Sequence, residues 1–210
     1  MNKETEETKL MFGPFEVTSQ VFLTTPHSFA LVNLKPLLPG HVLVCPIKPH
    51  RRLTELSTSE VTDLFSTVQR VQQMLARHYF KQTQATNGDP HTNAKSSSAV
   101  PSGGSFNIAL QDGPEAGQTV SHVHVHIIPR ISNINSKPDD GTEGDELYEK
   151  MAGEEGNVGG ALWDREFGSR RPKAGGKFDR IEDSARKARS MEEMQAEAEV
   201  FRKAMKELDV

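Results

Sequence analysis

Ser121-His122-Val123-His124-Val125-His126-Ile127-Ile128-Pro129-Arg130 alternates histidine with β-branched residues at a period of two. In an extended strand that period puts His122, His124 and His126 on one face and Val123, Val125 and Ile127 on the other, an imidazole row backed by core. On a helix the three histidines would fan around more than half the circumference, and the β-branched run disfavours a helix besides. The stretch is therefore predicted to be a strand.

Three uses of the row compete. Histidines can fill a half-buried strand face. Alternate imidazoles can hold a metal ion, although the chain offers a single cysteine and the motif no carboxylate to complete a site. One imidazole can attack phosphorus while its neighbours orient it and bind phosphate oxygens. The preceding residues, Ala109-Leu110-Gln111-Asp112-Gly113-Pro114-Glu115-Ala116-Gly117-Gln118-Thr119-Val120, favour the third use. Gly113-Pro114 and Gly117 allow a tight turn whose backbone N–H groups suit an anion, and Gln111 and Gln118 add neutral donors that do not repel phosphate.

His122 to Ile128 matches the pattern of the histidine triad family, and Gln-Asp-Gly-Pro-Glu-Ala-Gly-Gln-Thr-Val at 111–120 resembles its Fhit branch. Ser28-Phe29-Ala30-Leu31-Val32-Asn33, Pro39-Gly40-His41-Val42-Leu43-Val44-Cys45-Pro46 and Arg189-Ser190-Met191-Glu192-Glu193-Met194 are similar to the same branch, so the resemblance spans most of the chain. It implies an α+β fold, an antiparallel sheet of about five strands with a packed helix and a C-terminal helix, usually dimeric. It also implies hydrolysis of dinucleoside polyphosphates, diadenosine triphosphate preferred, through a nucleotidyl-histidine intermediate.

The same resemblance assigns roles. His124 attacks the α-phosphorus, His122 and His126 orient it and bind α-phosphate oxygens, and His41 stands behind them. Gln111, Gln118 and the backbone of Gly117, Thr119 and Val120 stabilise the equatorial oxygens, Asn33 holds ribose hydroxyls, and Phe12 and Leu31 line the base pocket. Gly13-Pro14-Phe15-Glu16 departs from the Fhit pattern, which has a histidine there. A divalent cation, Mg²⁺ or Mn²⁺, is expected to accompany the polyphosphate, with no structural metal. Other activities of the superfamily, phosphoramidase, nucleotidylyltransferase or decapping pyrophosphatase, and a signalling module with slow turnover are the alternatives.

Length and composition fit this picture. The 210 residues suit a single domain over 11–210, with a core of about 150 residues carrying decorations. Hydrophobic residues make up only 35%, a deficit located in two polar insertions, 81–104 and 133–189. A net charge of −4 argues against a basic nucleic-acid binder, so any field that attracts phosphate is local. The lone Cys45 excludes an intrachain disulfide, and the polar N-terminus and the lack of a long apolar run give no expectation of a signal peptide or membrane span. The expected location is cytoplasm or nucleus.

Along the chain, residues 1–10 read as a frayed end. Phe12-Gly13 and Val17 to Leu23 read as a short strand pair, and Phe29 to Asn33, Val42 to Cys45 and Phe106 to Leu110 as strands. Ser57 and Glu60 form a capping-box signature before Val61, Leu64, Phe65, Val68, Val71, Leu75 and Tyr79, which predicts an amphipathic helix of about five turns. Gly168 to Arg189 is basic and reads as a solvated linker, with nuclear import or nucleic-acid contact as the alternative use, and Tyr148 falls in the acidic insertion. Met191, Met194, Ala198, Phe201, Met205 and Leu208 form a narrow apolar seam on a terminal helix predicted over 190–208.

Overall fold

The computed structural model describes residues 9–80, 103–132, 134 and 188–208. Residues 1–8, nearly all of the two polar insertions, and with them Tyr148 and most of the basic run, lie outside these.

Two short strands, β1 (Met11–Phe12) and β2 (Phe15–Glu16), form a separate antiparallel hairpin. Its turn needs Gly13, whose φ of +57° suits glycine. The main sheet contains β3 (Val21–Thr24), β4 (Ser28–Val32), β5 (Val42–Pro46), β6 (Gly104–Leu110) and β7 (Val125–Ile131), in the order β3-β4-β5-β7-β6 with every neighbouring pair antiparallel. Helix α1 (Thr58–Tyr79) packs on β4, β5 and β7, and α2 (Met191–Leu208) lies against α1, β3 and β4. This is the expected α+β arrangement.

Several boundaries differ from the sequence reading. The predicted strand from Val17 is broken by a 3₁₀ turn at Thr18–Gln20, so β1–β2 closes on itself and β3 begins only at Val21. Phe65, expected in the core, is 41% exposed, and the buried stripe of α1 runs instead through Leu64, Thr67, Val68, Val71, Met74, Leu75 and Ala76. The capping box is present: Glu60 N donates to Ser57 Oγ at 3.3 Å and Ser57 N to Glu60 Oε2 at 2.8 Å, a device that stabilises a helix start by about 1 kcal/mol. Ser190 and Glu193 exchange the same two bonds at the start of α2, whose Met194, Ala198, Phe201 and Met205 are buried as the seam predicts.

The histidine stretch is the most instructive difference. Sheet pairing starts at Val125, opposite Val44 and Leu110, so His122 and His124 precede the strand and only His126 belongs to it. Val123 N–H, which would start the ladder, donates instead to the His50 carbonyl at 2.7 Å. Val125 and Ile127 join the main core with Leu64, Val68, Val71 and Leu75 of α1, whereas Ile128 packs in a separate cluster with Leu37 and Leu38. By the strand's two-residue period His126 shares the face of Ile128, away from the helix.

Candidate active site

All three histidines of the row are buried, and each has a backbone or imidazole partner that fixes its tautomer. His124 Nδ1 lies 2.9 Å from the His122 carbonyl. A carbonyl only accepts, so Nδ1 carries the proton and Nε2 keeps the lone pair. His122 Nε2 lies 2.8 Å from the Pro46 carbonyl, at the end of β5, and its Nδ1 accepts the Gly13 N–H at 3.1 Å. Both nitrogens of His122 are thereby used, which makes it a support for its neighbour.

His126 takes its tautomer from farther away. Leu37 N–H donates to His41 Nδ1 at 3.1 Å, so the His41 proton sits on Nε2. That proton points at His126 Nδ1, 2.9 Å away, and His126 must then carry its own proton on Nε2. Among the described residues this buried Nε2–H has no partner. A buried donor without an acceptor is costly, and one beside a lone-pair nitrogen is the arrangement an incoming anionic oxygen would complete.

Burial keeps the rings neutral. Loss of solvent pushes His124 down to about 4, partly opposed by its bond to the His122 carbonyl. Burial does the same to His122, also to about 4, and holds His126 well below the ordinary histidine range. Phe12 contributes to that burial. Its ring stands edge-on to His124 with centroids 4.9 Å apart, and 5.6 Å from His122. The residue expected in the base pocket thus packs directly on His122 and His124.

Residues 50–53 hold the loop at 111–118. Arg51 carbonyl accepts Gln118 Nε2 at 2.9 Å, and the Gln111 carbonyl takes the same nitrogen at 3.2 Å. Arg52 donates to the Asp112 carbonyl, and Leu53 N–H donates to Asp112 Oδ1 at 2.9 Å. His50, whose carbonyl holds Val123, is itself anchored through Nε2 to Glu60 Oε1 at 3.0 Å, and this bond, with those from Ser57, holds the Glu60 carboxyl down to about 2. Gln118 therefore serves here as a strut between backbone carbonyls, not as an open donor. Gly117, at φ +89°, lies against the Gln111 side chain, and its N–H is spent on the Pro114 carbonyl at 3.0 Å.

The remaining expected site residues fall around the row. Val120 is buried against the hairpin turn, with its Cγ1 2.5 Å from where a Cβ on Gly13 would stand, and Thr119 beside it is half-buried. Leu31 is buried in β4, opposite Leu43 and Val21. Asn33 is fully buried beyond the end of that strand, with Nδ2 3.4 Å from both ring nitrogens of His41 and Oδ1 accepting the Lys35 N–H at 3.0 Å. Sequence reasoning did not find Gly13, Leu37, Pro46, His50 and Arg51, because they act through backbone atoms that every residue type possesses. Only Gly13 carried a signal, a glycine directly after an apolar strand.

Among the described residues no group of three or more His, Cys, Asp or Glu is arranged so that it could hold a metal ion. The acids nearest the loop are engaged, Asp112 with Leu53 and Glu115 with Arg52 at 3.5 Å.

The α+β sheet thus gathers three buried, tautomer-locked imidazoles beside the loop at 111–118, a histidine site on one end of an antiparallel sheet. The HIT domain model matches residues 14–133. The chain is 40% identical over 194 residues to a bis(5'-nucleosyl)-tetraphosphatase [asymmetrical] of Schizosaccharomyces pombe, covering 91% of each. It is 41% identical over 145 residues to a bis(5'-adenosyl)-triphosphatase of Dictyostelium discoideum, covering 69% of this chain and 78% of that one. The crystal structure of the C. elegans NitFhit protein superimposes with a TM-score of 0.55 at 29% identity, over 97% of this chain and 32% of that one. The protein belongs to the HIT family.

Proposed function

We propose that this protein hydrolyses dinucleoside polyphosphates in two steps through a nucleotidyl intermediate on His124. The observation that carries the reading is the pairing of tautomers: a lone pair on His124 Nε2 and, on the His126 ring whose centroid is 4.9 Å away, an Nε2–H without a partner among the described residues. In the first step His124 Nε2 forms a bond to the α-phosphorus as the bond to the bridging oxygen breaks, and the remaining nucleoside polyphosphate leaves as an anion. The His126 donor stabilises the oxygens over which charge spreads. In the second step water displaces His124, takes its place on phosphorus and frees the nucleoside monophosphate. Mg²⁺ or Mn²⁺ enters as part of the substrate.

The relatives divide on chain length, a tetraphosphatase matching nearly end to end and a triphosphatase over a shorter span. Attack at the α-phosphorus serves both substrates, because only the leaving group differs, ADP from diadenosine triphosphate and ATP from the tetraphosphate. We favour the triphosphate, on the likeness of residues 111–120 to Fhit. A homodimer joined along β6, the outermost strand among the described residues, where Ile108 is 41% exposed, is part of the same reading.

Turnover of both dinucleotides in ¹⁸O-water tests it. The expected products are labelled AMP and unlabelled ADP or ATP, with retained configuration at phosphorus because two in-line displacements cancel. Label in the larger product would move the attack to another phosphorus, and inversion would eliminate the histidine intermediate. Relative kcat/KM on the two substrates decides the preferred length.

A further inference from the structure

Arg189 ends the basic run Arg186-Lys187-Ala188-Arg189, which by composition reads as solvated linker. Its side chain is only 19% exposed. Nε donates to the Asn33 carbonyl at 3.1 Å, a second guanidinium nitrogen donates to the same oxygen, and a third pairs with Glu197 Oε2 of α2 at 2.7 Å. The Arg189 backbone N–H adds a bond to the Leu34 carbonyl at 3.1 Å. These contacts fall where β4 has ended, one residue past its last pair, Val32 with Val42, so the sheet no longer holds the backbone there.

We propose that Arg189 is a positioning residue for the nucleoside end of the substrate. It acts through Asn33, whose buried amide lies over His41 and whose orientation depends on a backbone carbonyl that the guanidinium grips with two donors. Glu197 of α2 pairs with the far side of the guanidinium, so the helix that follows Arg189 helps set its place. A chain element remote from the histidine row in sequence thereby becomes part of the specificity apparatus. The inference rests on the reading of Asn33 as a ribose ligand, and the test separates the two.

Arg202 supplies the control, since it clasps the same helix to the Val21 and Ser19 carbonyls and touches neither Asn33 nor Leu34. Steady-state kinetics would compare wild type, Arg189→Ala, Arg189→Lys, Arg202→Ala and Asn33→Ala on diadenosine triphosphate and its 2′-deoxy counterpart. Arg189→Ala is expected to raise KM for the ribo substrate about tenfold, with kcat within about twofold, the scale of one charge-assisted bond. It should also lose the preference for ribose, as Asn33→Ala does, whereas Arg202→Ala melts earlier but keeps that preference. Arg189→Lys, with one donor group in place of a fork, should fall between, and it decides the matter if the alanine variant does not fold. Wild-type ribose preference in both Arg189 variants, with its loss in Asn33→Ala, would reduce Arg189 to a structural tie. No ribose preference in wild type would remove the role of Asn33 and the inference with it.

Discussion

His41 Nε2 donates to His126 Nδ1 across 2.9 Å and 85 positions of sequence, and this one bond decides which ring nitrogen of His126 carries the proton. Replacing His41 by Ala leaves His126 free to move its proton to Nδ1 and to present a lone pair to an anion. Turnover is expected to fall by about one to two orders of magnitude, as for other partners that set an imidazole's tautomer. Nitrogen chemical shifts of His126 check the cause: a variant that keeps the Nε2–H tautomer and yet loses activity would refute it.

His124→Ala removes the attacking nitrogen and should lower kcat by about 10⁴ to 10⁶ while substrate still binds. Because its ring is covered by Phe12 and its partner is a carbonyl, the fold should survive. A purified variant with a tenth of wild-type turnover would rule out the covalent role.

The depressed histidines predict how the protein responds to acid. In the unfolded chain these rings take up protons near 6.5, but in the fold His122 and His124 do so only near 4. Between those values the unfolded state binds more protons, so stability is fully present above about 6.5 and declines as pH falls toward 4, by up to about 1.4 kcal/mol per pH unit for each ring. Denaturant midpoints measured from pH 7.5 to 4.5 should drop accordingly. The rate should hold to lower pH than an exposed histidine would allow, failing only as His124 protonates. An acid limb in kcat centred at 6.5 would contradict that.

Gly13→Ala introduces a Cβ 2.5 Å from Val120 Cγ1, far inside van der Waals contact, at a φ that L-residues rarely adopt. The expected cost is about 1–3 kcal/mol, with loss of the N–H bond that holds His122 Nδ1. Thermal unfolding measures the first effect and a fall in kcat beyond that of a comparably destabilised surface variant measures the second.

Much of this was readable beforehand because it depended on residue type. The Ser57/Glu60 cap and the methionine seam of α2 are patterns of side-chain chemistry, and each appears in the fold where the pattern puts it, whereas the alternation at 122–127 becomes strand only from Val125 on. What escaped depended on backbone geometry. Nothing in the identity of His50 announces that its carbonyl takes Val123 N–H and delays the sheet by two residues, nor in Arg51 that its carbonyl occupies Gln118. Phe12 was legible as an aromatic near a ligand but not as the ring lying on His124, because the hairpin that delivers it turns on Gly13 where the chain leaves the Fhit pattern. Arg189 was hidden by its basic neighbours.

The two key nitrogens differ in how far along the chain their chemistry is written. His124 owes its tautomer to the carbonyl two residues earlier, so a transplanted segment of residues 121–127 would bring the nucleophile with it into any extended backbone that kept the same local bend. His126 would arrive without its proton assigned, because His41 and Leu37 reach it only where β5 sets Leu43 opposite it. A graft of that kind would attack phosphorus without an adjacent donor to steady the oxygens, and would make a stoichiometric reagent before it made a catalyst.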